Sequence, residues 1–291
     1  MKELVVISGK GGTGKTSIVA AFAALAESKV LADCDVDAAD LHLVLDPKIR
    51  HREAFTGGSV ARIKIDDCNQ CDLCRTLCRF DAIDRNFKVD EIACEGCGVC
   101  HDVCPCGAVE FVRKTAGEWY ISDTRQGVMV YAKLGKAEEN SGKLVSIVRT
   151  QAKKIAEENR LELVLIDGSP GIGCPVIASM TGVDLVLAVT EPTLSGIHDL
   201  ERVAALAKHF ESRMTVCVNK WDINPDMTER IENWCSREGI AVSGKISYDP
   251  IITRAQIAGV SVIEYSSGNA AMEIKKVWRH IAREMELENI T

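Results

Sequence analysis

One glycine-rich stretch near the start of the chain decides the fold, and it reads Ser8-Gly9-Lys10-Gly11-Gly12-Thr13-Gly14-Lys15-Thr16-Ser17. It satisfies the pattern G-x-x-x-x-G-K-[ST], in which backbone N–H groups surround phosphates at the start of a helix. The apolar run 4–7 before it predicts a buried parallel strand, and the alanine-rich segment 18–26 after it predicts a helix packed on the sheet. The stretch therefore predicts a P-loop in which Lys15 reaches the β and γ phosphates and the Thr16 hydroxyl binds Mg²⁺.

Apolar runs of strand length recur along the rest of the chain, at 30–32, 163–166, 185–189 and 215–218. Helix-like stretches separate several of them, for example at 144–158 and 198–210. Strands that alternate with helices predict an α/β fold with a doubly wound, mostly parallel sheet, which binds ligands at the carboxyl ends of its strands.

A second lysine in the glycine-rich stretch makes the assignment more specific. The string KGGTGKT, with Lys10 as its first residue, resembles the deviant Walker A motif of the MinD/ParA family of P-loop ATPases. Mrp-type iron–sulfur carriers and the nitrogenase iron protein are related to that family. The resemblance implies a homodimer on ATP binding, in which Lys10 crosses the interface to the partner's nucleotide and stabilises charge there. The alternative is a solvated loop lysine.

The same resemblance implies roles for acidic residues that follow two other strand-like runs. Asp35 would orient or activate the attacking water, and Asp33 would support the magnesium shell, although Asp37 and Asp40 are near enough in sequence to share these roles. Asp167 matches the Walker B position, which holds Mg²⁺ through water.

Two further segments complete the resemblance. The segment 168–173 is similar to the switch II loop, whose glycines let the backbone respond to the γ-phosphate. Asn219 ends a strand-like run and would contact the adenine base, although such an asparagine also caps turns. The catalytic residues are then Lys10, Lys15 and Asp35, and the magnesium ligands Thr16, Asp33 and Asp167. The nucleotide-binding set is Gly9, Lys10, Gly11, Gly12, Thr13, Gly14, Lys15, Thr16, Ser17 and Asn219.

Eight of the thirteen cysteines form two copies of the spacing C-x2-C-x2-C-x3-C. This spacing is typical of bacterial-type ferredoxins that hold two [4Fe–4S] clusters, and the fourth cysteine of each run binds the cluster of the other run. The predicted ligands are Cys68, Cys71, Cys74 and Cys104 for the first cluster, and Cys94, Cys97, Cys100 and Cys78 for the second. The alternatives are a disulfide framework and a pair of zinc sites. Disulfide frameworks suit secreted chains, and zinc sites use more widely spaced cysteine pairs.

The cysteine runs interrupt the nucleotide motifs. We therefore predict a small ferredoxin domain at 58–113, inserted into a P-loop ATPase domain that comprises 1–57 and 114–291. Gly57-Gly58 and a polar turn at 114–118 mark the predicted boundaries, and strands of a returning hairpin are predicted at 119–121 and 128–131. The first run departs from the usual signature, since Arg79 stands where a proline is expected. Cys106, close behind the second run, is interpreted as structural in preference to a spare ligand.

Charge and composition restrict the partners. The formal net charge is −7, which argues against a broad nucleic-acid-binding surface. No apolar run approaches the roughly 18 residues of a membrane span, and the start of the chain has no targeting segment, so we expect a cytoplasmic protein. The segment 272–285 has helical apolar spacing, and its acidic end (Glu284, Glu286 and Glu288) favours packing over membrane targeting.

Three functions remain open from the sequence. The first is an ATPase that couples nucleotide-driven changes of a dimer to low-potential electron transfer through the two clusters, toward an unidentified protein partner. The second is an ATP-dependent carrier or scaffold for iron–sulfur or metallocofactor assembly, although two complete ligand sets weaken this interpretation. The third is a MinD/ParA-like positioning ATPase in which the clusters are only structural.

Overall fold

The computed structural model describes residues 1–135 and 141–287, and it divides them into two compact units. The first unit comprises Met1–Arg52, Trp119–Lys133 and the chain from Ser141 onward. The second comprises Glu53–Glu118 with Leu134 and Gly135. The second unit therefore contains the predicted ferredoxin segment 58–113 and extends beyond it on both sides.

The strands form a nine-stranded sheet in the order β3-β4-β5-β2-β6-β1-β7-β8-β9. Their bounds are β1 Lys2–Ser8, β2 Lys29–Asp33, β3 Lys48–Ile63, β4 Val109–Thr124, β5 Gly127–Leu134, β6 Leu163–Pro170, β7 Leu185–Thr190, β8 Met214–Asn219 and β9 Ala241–Ile246. The strand pairs from β5 through β2, β6, β1, β7 and β8 to β9 are parallel. This confirms the predicted α/β fold with a mostly parallel sheet.

Helices connect most of these strands, and three helices of the described chain follow β9. Their bounds are α1 Lys15–Leu25, α2 Leu41–Leu45, α3 Leu73–Thr76, α4 Val99–Asp102, α5 Ser141–Glu158, α6 Cys174–Met180, α7 Leu194–His209, α8 Pro225–Glu238, α9 Pro250–Ile257, α10 Val262–Tyr265 and α11 Asn269–Glu284, with 3₁₀ turns at Ile65–Asp67 and Trp221–Ile223. The predicted helices at 144–158 and 198–210 correspond to α5 and α7. None of the helices in the described ranges is both long enough and apolar enough to cross a membrane.

The core of the first unit lies between α1 and the C-terminal helix α11. The rings of Phe22 and Trp278 meet with centroids 5.1 Å apart, and both side chains are buried. Ile274, Val277 and Ile281, the residues of the predicted apolar spacing, are all fully buried on α11. Packing of this helix agrees with the sequence-based expectation; Glu288, part of the acidic end, lies outside the described residues.

Both boundary markers predicted from the sequence lie inside strands. Gly57 and Gly58 belong to β3, and the polar segment 114–118 belongs to β4, so the predicted turn is wrong. A Cβ added to Gly57 would lie 2.4 Å from Cβ of Ala116, which shows that this glycine permits close approach of two segments of the second unit. The returning hairpin is present but longer than predicted: β4 and β5 are joined by Arg125 and Gln126.

Candidate functional site

The glycine-rich loop connects β1 to α1 in the way that a phosphate-binding loop requires. Gly12 and Gly14 have φ values of +80° and +88°, which L side chains rarely adopt. Gly14 is also crowded, since an added Cβ would lie 2.4 Å from Nδ2 of Asn219. That asparagine amide donates a hydrogen bond to the carbonyl of Thr13 at 2.7 Å. The carboxyl end of β8 thus braces the loop against which phosphates would bind.

Lys15 is the centre of a buried charge cluster at the carboxyl ends of β2 and β6. Its ammonium lies 2.6 Å from Oδ1 of Asp167 and 3.4 Å from Oδ2 of Asp35. Burial alone lowers the pKa of Lys15, but the charges of Asp167 and Asp35 outweigh it, so the pKa is raised overall. The lysine is therefore held charged at the position from which it would reach a phosphate.

Asp33 supports the loop that carries Asp35. Its Oδ1 accepts from the backbone N–H of Asp35 at 3.1 Å and its Oδ2 from that of Leu41 at 3.3 Å. Burial, followed by the charge of Asp167, raises its pKa well above the ordinary value. Burial also raises the pKa of Asp35, against the opposing effect of Lys15.

The donor set beside Lys15 fits a magnesium ion. Oδ2 of Asp167 is buried and has no hydrogen-bond partner among the described residues, and a carboxylate oxygen in that state is costly unless a cation or water binds it. The Thr16 side chain lies at the cavity that would hold the nucleotide. Hydroxyl and carboxylate oxygens, with water, are the ligands that Mg²⁺ prefers. Asp167 and Thr16 would hold it, with Asp33 behind them.

A cavity of about 530 Å³ opens next to the loop. Most of the predicted nucleotide-binding residues line it, together with Asp35 and Asp40; Gly9, Lys10, Asp33 and Asp167 do not. The sequence interpretation missed Lys220 and the segment 247–249, which also line the cavity. Their signal was their position, because each directly follows a parallel strand, β8 or β9.

Lys10 points to a different set of residues. Its ammonium lies 3.3 Å from Oε2 of Glu191 and donates to Oγ of Ser195 at 3.2 Å. Glu191 also pairs with Lys220. Burial raises the pKa of Glu191, but Lys220 and Lys10 outweigh that effect, so the carboxyl pKa is lowered. In one chain, therefore, Lys10 is held by a carboxylate and is not a freely solvated lysine.

The eight cysteines of the two runs surround two separate cavities in the second unit. One is lined by Cys68, Cys71, Cys74 and Cys104, and the other by Cys78, Cys94, Cys97 and Cys100. Each cavity thus combines three cysteines of one run with the fourth of the other. Backbone N–H groups of Gln70 and Ala108 donate to the sulfurs of Cys68 and Cys104 at 3.4 and 3.3 Å.

Burial raises the pKa of Cys74 and of Cys100, with further increases from neighbouring cysteines of the same cavity. Within the described ranges, no group of three or more His, Cys, Asp or Glu side chains has the arrangement needed to hold a single metal ion.

Comparison with known protein families shows which family the chain belongs to. Residues 4–262 match the family described as the CobQ/CobB/MinD/ParA nucleotide-binding domain. The chain belongs to this family. Its members include the MinD/ParA ATPases, so the protein is a P-loop ATPase at the family level.

Relatives and solved structures agree with this assignment. The Methanocaldococcus jannaschii protein MJ0578 is 36% identical over 226 residues, which cover 76% of this chain and 79% of the relative. Among solved structures, MinD of Pyrococcus horikoshii in complex with Mg-ADP has a TM-score of 0.62 and 17% identity, over 99% of this chain and 98% of that one. The cell division ATPase MinD of Pyrococcus furiosus has a TM-score of 0.60 and 18% identity, over 97% and 99%. These structures establish the fold.

One match is shorter. The pyruvate synthase subunit PorD of Methanothermobacter marburgensis is 37% identical over 49 residues, which cover 17% of this chain and 60% of that subunit.

Proposed function

We propose that the protein binds and hydrolyses ATP as a homodimer, and that nucleotide-driven changes of the dimer control low-potential electron transfer through two [4Fe–4S] clusters. A protein redox partner is the natural recipient of those electrons. The proposal joins the ATPase class of the family to the two cysteine cavities of the second unit.

The observation that carries the redox half is the crossed composition of the two cavities. The spacing rule for two-cluster ferredoxins requires that the fourth cysteine of each run serve the other cluster. Cys104 lies with Cys68, Cys71 and Cys74, and Cys78 lies on the other cavity, as that rule demands. Neither a disulfide framework nor a pair of zinc ribbons calls for this exchange of the fourth residue.

The cysteine sets fit cubane clusters in number and in access. Each cavity has four thiols from the two cysteine runs, which is the complement of a [4Fe–4S] cluster. Cys74 is buried, whereas Cys71 and Cys97 are exposed, so each cavity reaches the surface of its unit. When bound, such clusters supply one-electron chemistry. The thiolates hold the irons, and N–H groups such as those of Gln70 and Ala108 bind the sulfurs and tune the potential.

The proposal gives a role to the charged residues around the glycine-rich loop. Lys15 would exchange Asp167 for phosphate oxygens, which leaves Asp167 free for the magnesium shell. Asp35, which contacts Lys15, would orient water. Lys10 would leave Glu191 and reach the nucleotide of the second subunit. The ATP state and the free state therefore differ in which partners these side chains hold, and this difference is what a coupled dimer requires.

The test is an anaerobic redox titration, monitored by electron paramagnetic resonance, with and without MgATP. Coupling predicts a shift in midpoint potential or in line shape. A shift of about 59 mV for a one-electron centre corresponds to a tenfold change in the coupled equilibrium. Nucleotide analogues that resist hydrolysis separate the effect of binding from that of turnover.

Two results would contradict the proposal in different ways. Protein isolated and reconstituted without oxygen that holds no iron would remove the redox half. Two full clusters that ignore MgATP would leave them structural, as in a MinD/ParA-like positioning ATPase. Transfer of the clusters to an apo acceptor on addition of ATP would instead favour the carrier alternative.

A further inference from the structure

A fifth cysteine lies at the first cysteine cavity. Cys106 lines the cavity together with Cys68, Cys71, Cys74 and Cys104, and its sulfur is 3.7 Å from that of Cys104. Its side chain is exposed, which does not favour the structural role that the sequence interpretation preferred over a spare ligand. The carbonyl of Cys104 accepts from the N–H of Gly107 at 3.3 Å, and this turn brings position 106 back toward the cavity.

The end of the first run forms the same turn and shows which way that position faces. The carbonyl of Cys78 accepts from the N–H of Asp81, also at 3.3 Å. The residue before Asp81 is Phe80, which stands two positions after Cys78 as Cys106 stands two after Cys104. Phe80 lines the second cavity. In both repeats this side chain therefore faces a cavity, but only the second repeat, at Cys106, has a thiol there.

We propose that Cys106 is an alternative ligand for the iron that Cys104 binds, so that the first cluster has five thiols for four iron positions. The proposal rests on the proposed function, because it requires the cluster. The exchange transfers no electrons. The Cys104–iron bond breaks and that sulfur takes up a proton, while Cys106 loses its proton as its sulfur bonds to the same iron. The second cluster has no such reserve, since Phe80 offers no ligand.

The test counts iron per chain after anaerobic reconstitution in matched alanine variants. Wild-type protein should hold about eight iron atoms, the content of two [4Fe–4S] clusters. Cys104→Ala should keep about eight, because Cys106 replaces the lost ligand, whereas Cys104→Ala combined with Cys106→Ala should hold fewer. Cys78→Ala, the matched variant at the cluster without a reserve thiol, should also hold fewer. The deficit is about one iron if a three-iron cluster survives, or about four if the cluster is lost.

Spectra of the reduced proteins give a second readout. The signal of the first cluster should change shape in Cys104→Ala, since the new ligand has a different geometry, and its intensity should persist. In the double variant that intensity should fall.

The outcomes separate this inference from the function on which it depends. Wild-type protein without iron would contradict the proposed function itself. Wild type with full iron and Cys104→Ala with the same deficit as Cys78→Ala would overturn the inference alone, as would a double variant that keeps full iron. Nucleotide binding by the first unit, measured in every variant, shows that a loss of iron does not reflect a loss of folding of that unit, and the second cluster's signal in Cys104→Ala shows the same for the second unit.

Discussion

Two lysines of the glycine-rich loop are bound to carboxylates, and both would have to change partner for the family's chemistry. Lys15 is held by Asp167 at 2.6 Å, and Lys10 by Glu191 at 3.3 Å. The Lys15–Asp167 pair is buried and the Lys10–Glu191 pair is partly exposed, so breaking the Lys10 pair costs less free energy. We therefore expect Glu191 to restrain Lys10, the lysine that would act in the second subunit.

Glu191→Gln should strengthen dimerisation in the presence of MgATP. Glutamine keeps the size of the side chain but removes the charge that holds Lys10 and Lys220. An exposed ion pair contributes roughly 0.2–1 kcal/mol. Dimerisation of the wild type would have to break two such pairs, and the variant lacks them, so its dissociation constant should be about two- to thirtyfold lower. Analytical ultracentrifugation across protein concentration measures it.

A matched control and a double variant define the origin of that effect. Glu232→Gln removes another partly exposed partner of a lysine, Lys245, and should leave the constant unchanged. Adding Lys10→Ala to Glu191→Gln should abolish the gain. Weaker dimerisation in Glu191→Gln alone would show that the carboxylate supports the interface and does not restrain Lys10.

The sequence predicted which residues lie together at the glycine-rich loop better than it predicted the ion pair of Lys10. Lys15 and Asp167 could be assigned because a local pattern and a strand end mark them. The pairing of Lys10 with Glu191 could not, because it depends on β7 lying next to β1 in the sheet, and no local pattern encodes that order. The sequence left the position of Cys106 open between a spare ligand and a structural role for a related reason, since the turn that brings it to the cavity is visible only in three dimensions.

At the scale of the element, strands and helices with continuous apolar character were predictable, and the long hairpin was not. The segment 114–118 is polar and glycine-containing, which is typical of a turn. It is nevertheless part of β4, in which more exposed and more buried residues alternate from Glu110 to Ala116. Alternation with a period of two is a strand pattern, but Phe111 lies among the more exposed residues and Lys114 among the more buried ones, so hydrophobicity along the sequence does not reveal it.

The two residues at the end of this hairpin, Arg125 and Gln126, both donate hydrogen bonds to Glu264 within the first unit. Arg125 donates from Nε to Oε1 of Glu264 at 2.7 Å and to the carbonyl of Gly259 at 2.9 Å. Glu264 also completes a capping box with Ser261 at the start of α10. Burial raises the pKa of Glu264, but hydrogen bonds from Arg125 and Ser261 outweigh that effect and lower the pKa to about 2.

Glu264→Gln should lower the free energy of unfolding of the first unit at neutral pH. Because the folded pKa is lowered from the ordinary value of 4.5 to about 2, the stabilisation is complete above pH 4.5 and is lost as the pH falls toward 2. The side chain is partly exposed, so screening reduces the expected difference to about 1 kcal/mol. Urea unfolding of both proteins between pH 7 and 3 measures it.

The hairpin offers its own control for this experiment. Asp123, on β4, pairs with Arg50, and both side chains are more than half exposed. Asp123→Asn should therefore change the stability by little at any pH. A Glu264→Gln deficit that stayed constant down to pH 3 would show that lost packing, and not the charge, causes it.

At the scale of the whole molecule, the chain combines a nucleotide unit and a cysteine unit, each with its own site. The cavity beside the glycine-rich loop is lined by residues of the first unit alone, and both cysteine cavities by residues of the second alone. The nesting of the two motif sets was predictable because each is local in sequence. The extent of each unit was less so, because β3 and β4 contribute residues to both.

Because the two kinds of site lie in different units, a substitution at the nucleotide site should leave the cysteine sites intact. Lys15→Ala tests this expectation. The variant should lose nucleotide affinity by roughly 10- to 100-fold, the equivalent of a charged hydrogen bond, and should keep the full iron content of the wild type. It also leaves Asp167 and Asp35 buried without their cation, which destabilises the first unit.

Lys153→Ala is the control, because it removes a 2.7 Å partner of buried Glu3 in the same unit, away from the nucleotide cavity. Isothermal titration with MgADP and iron analysis on the same samples give both readouts. Iron lost in Lys15→Ala but kept in Lys153→Ala would mean that the nucleotide site itself supports cluster assembly, and the two sites would then have to be treated as one.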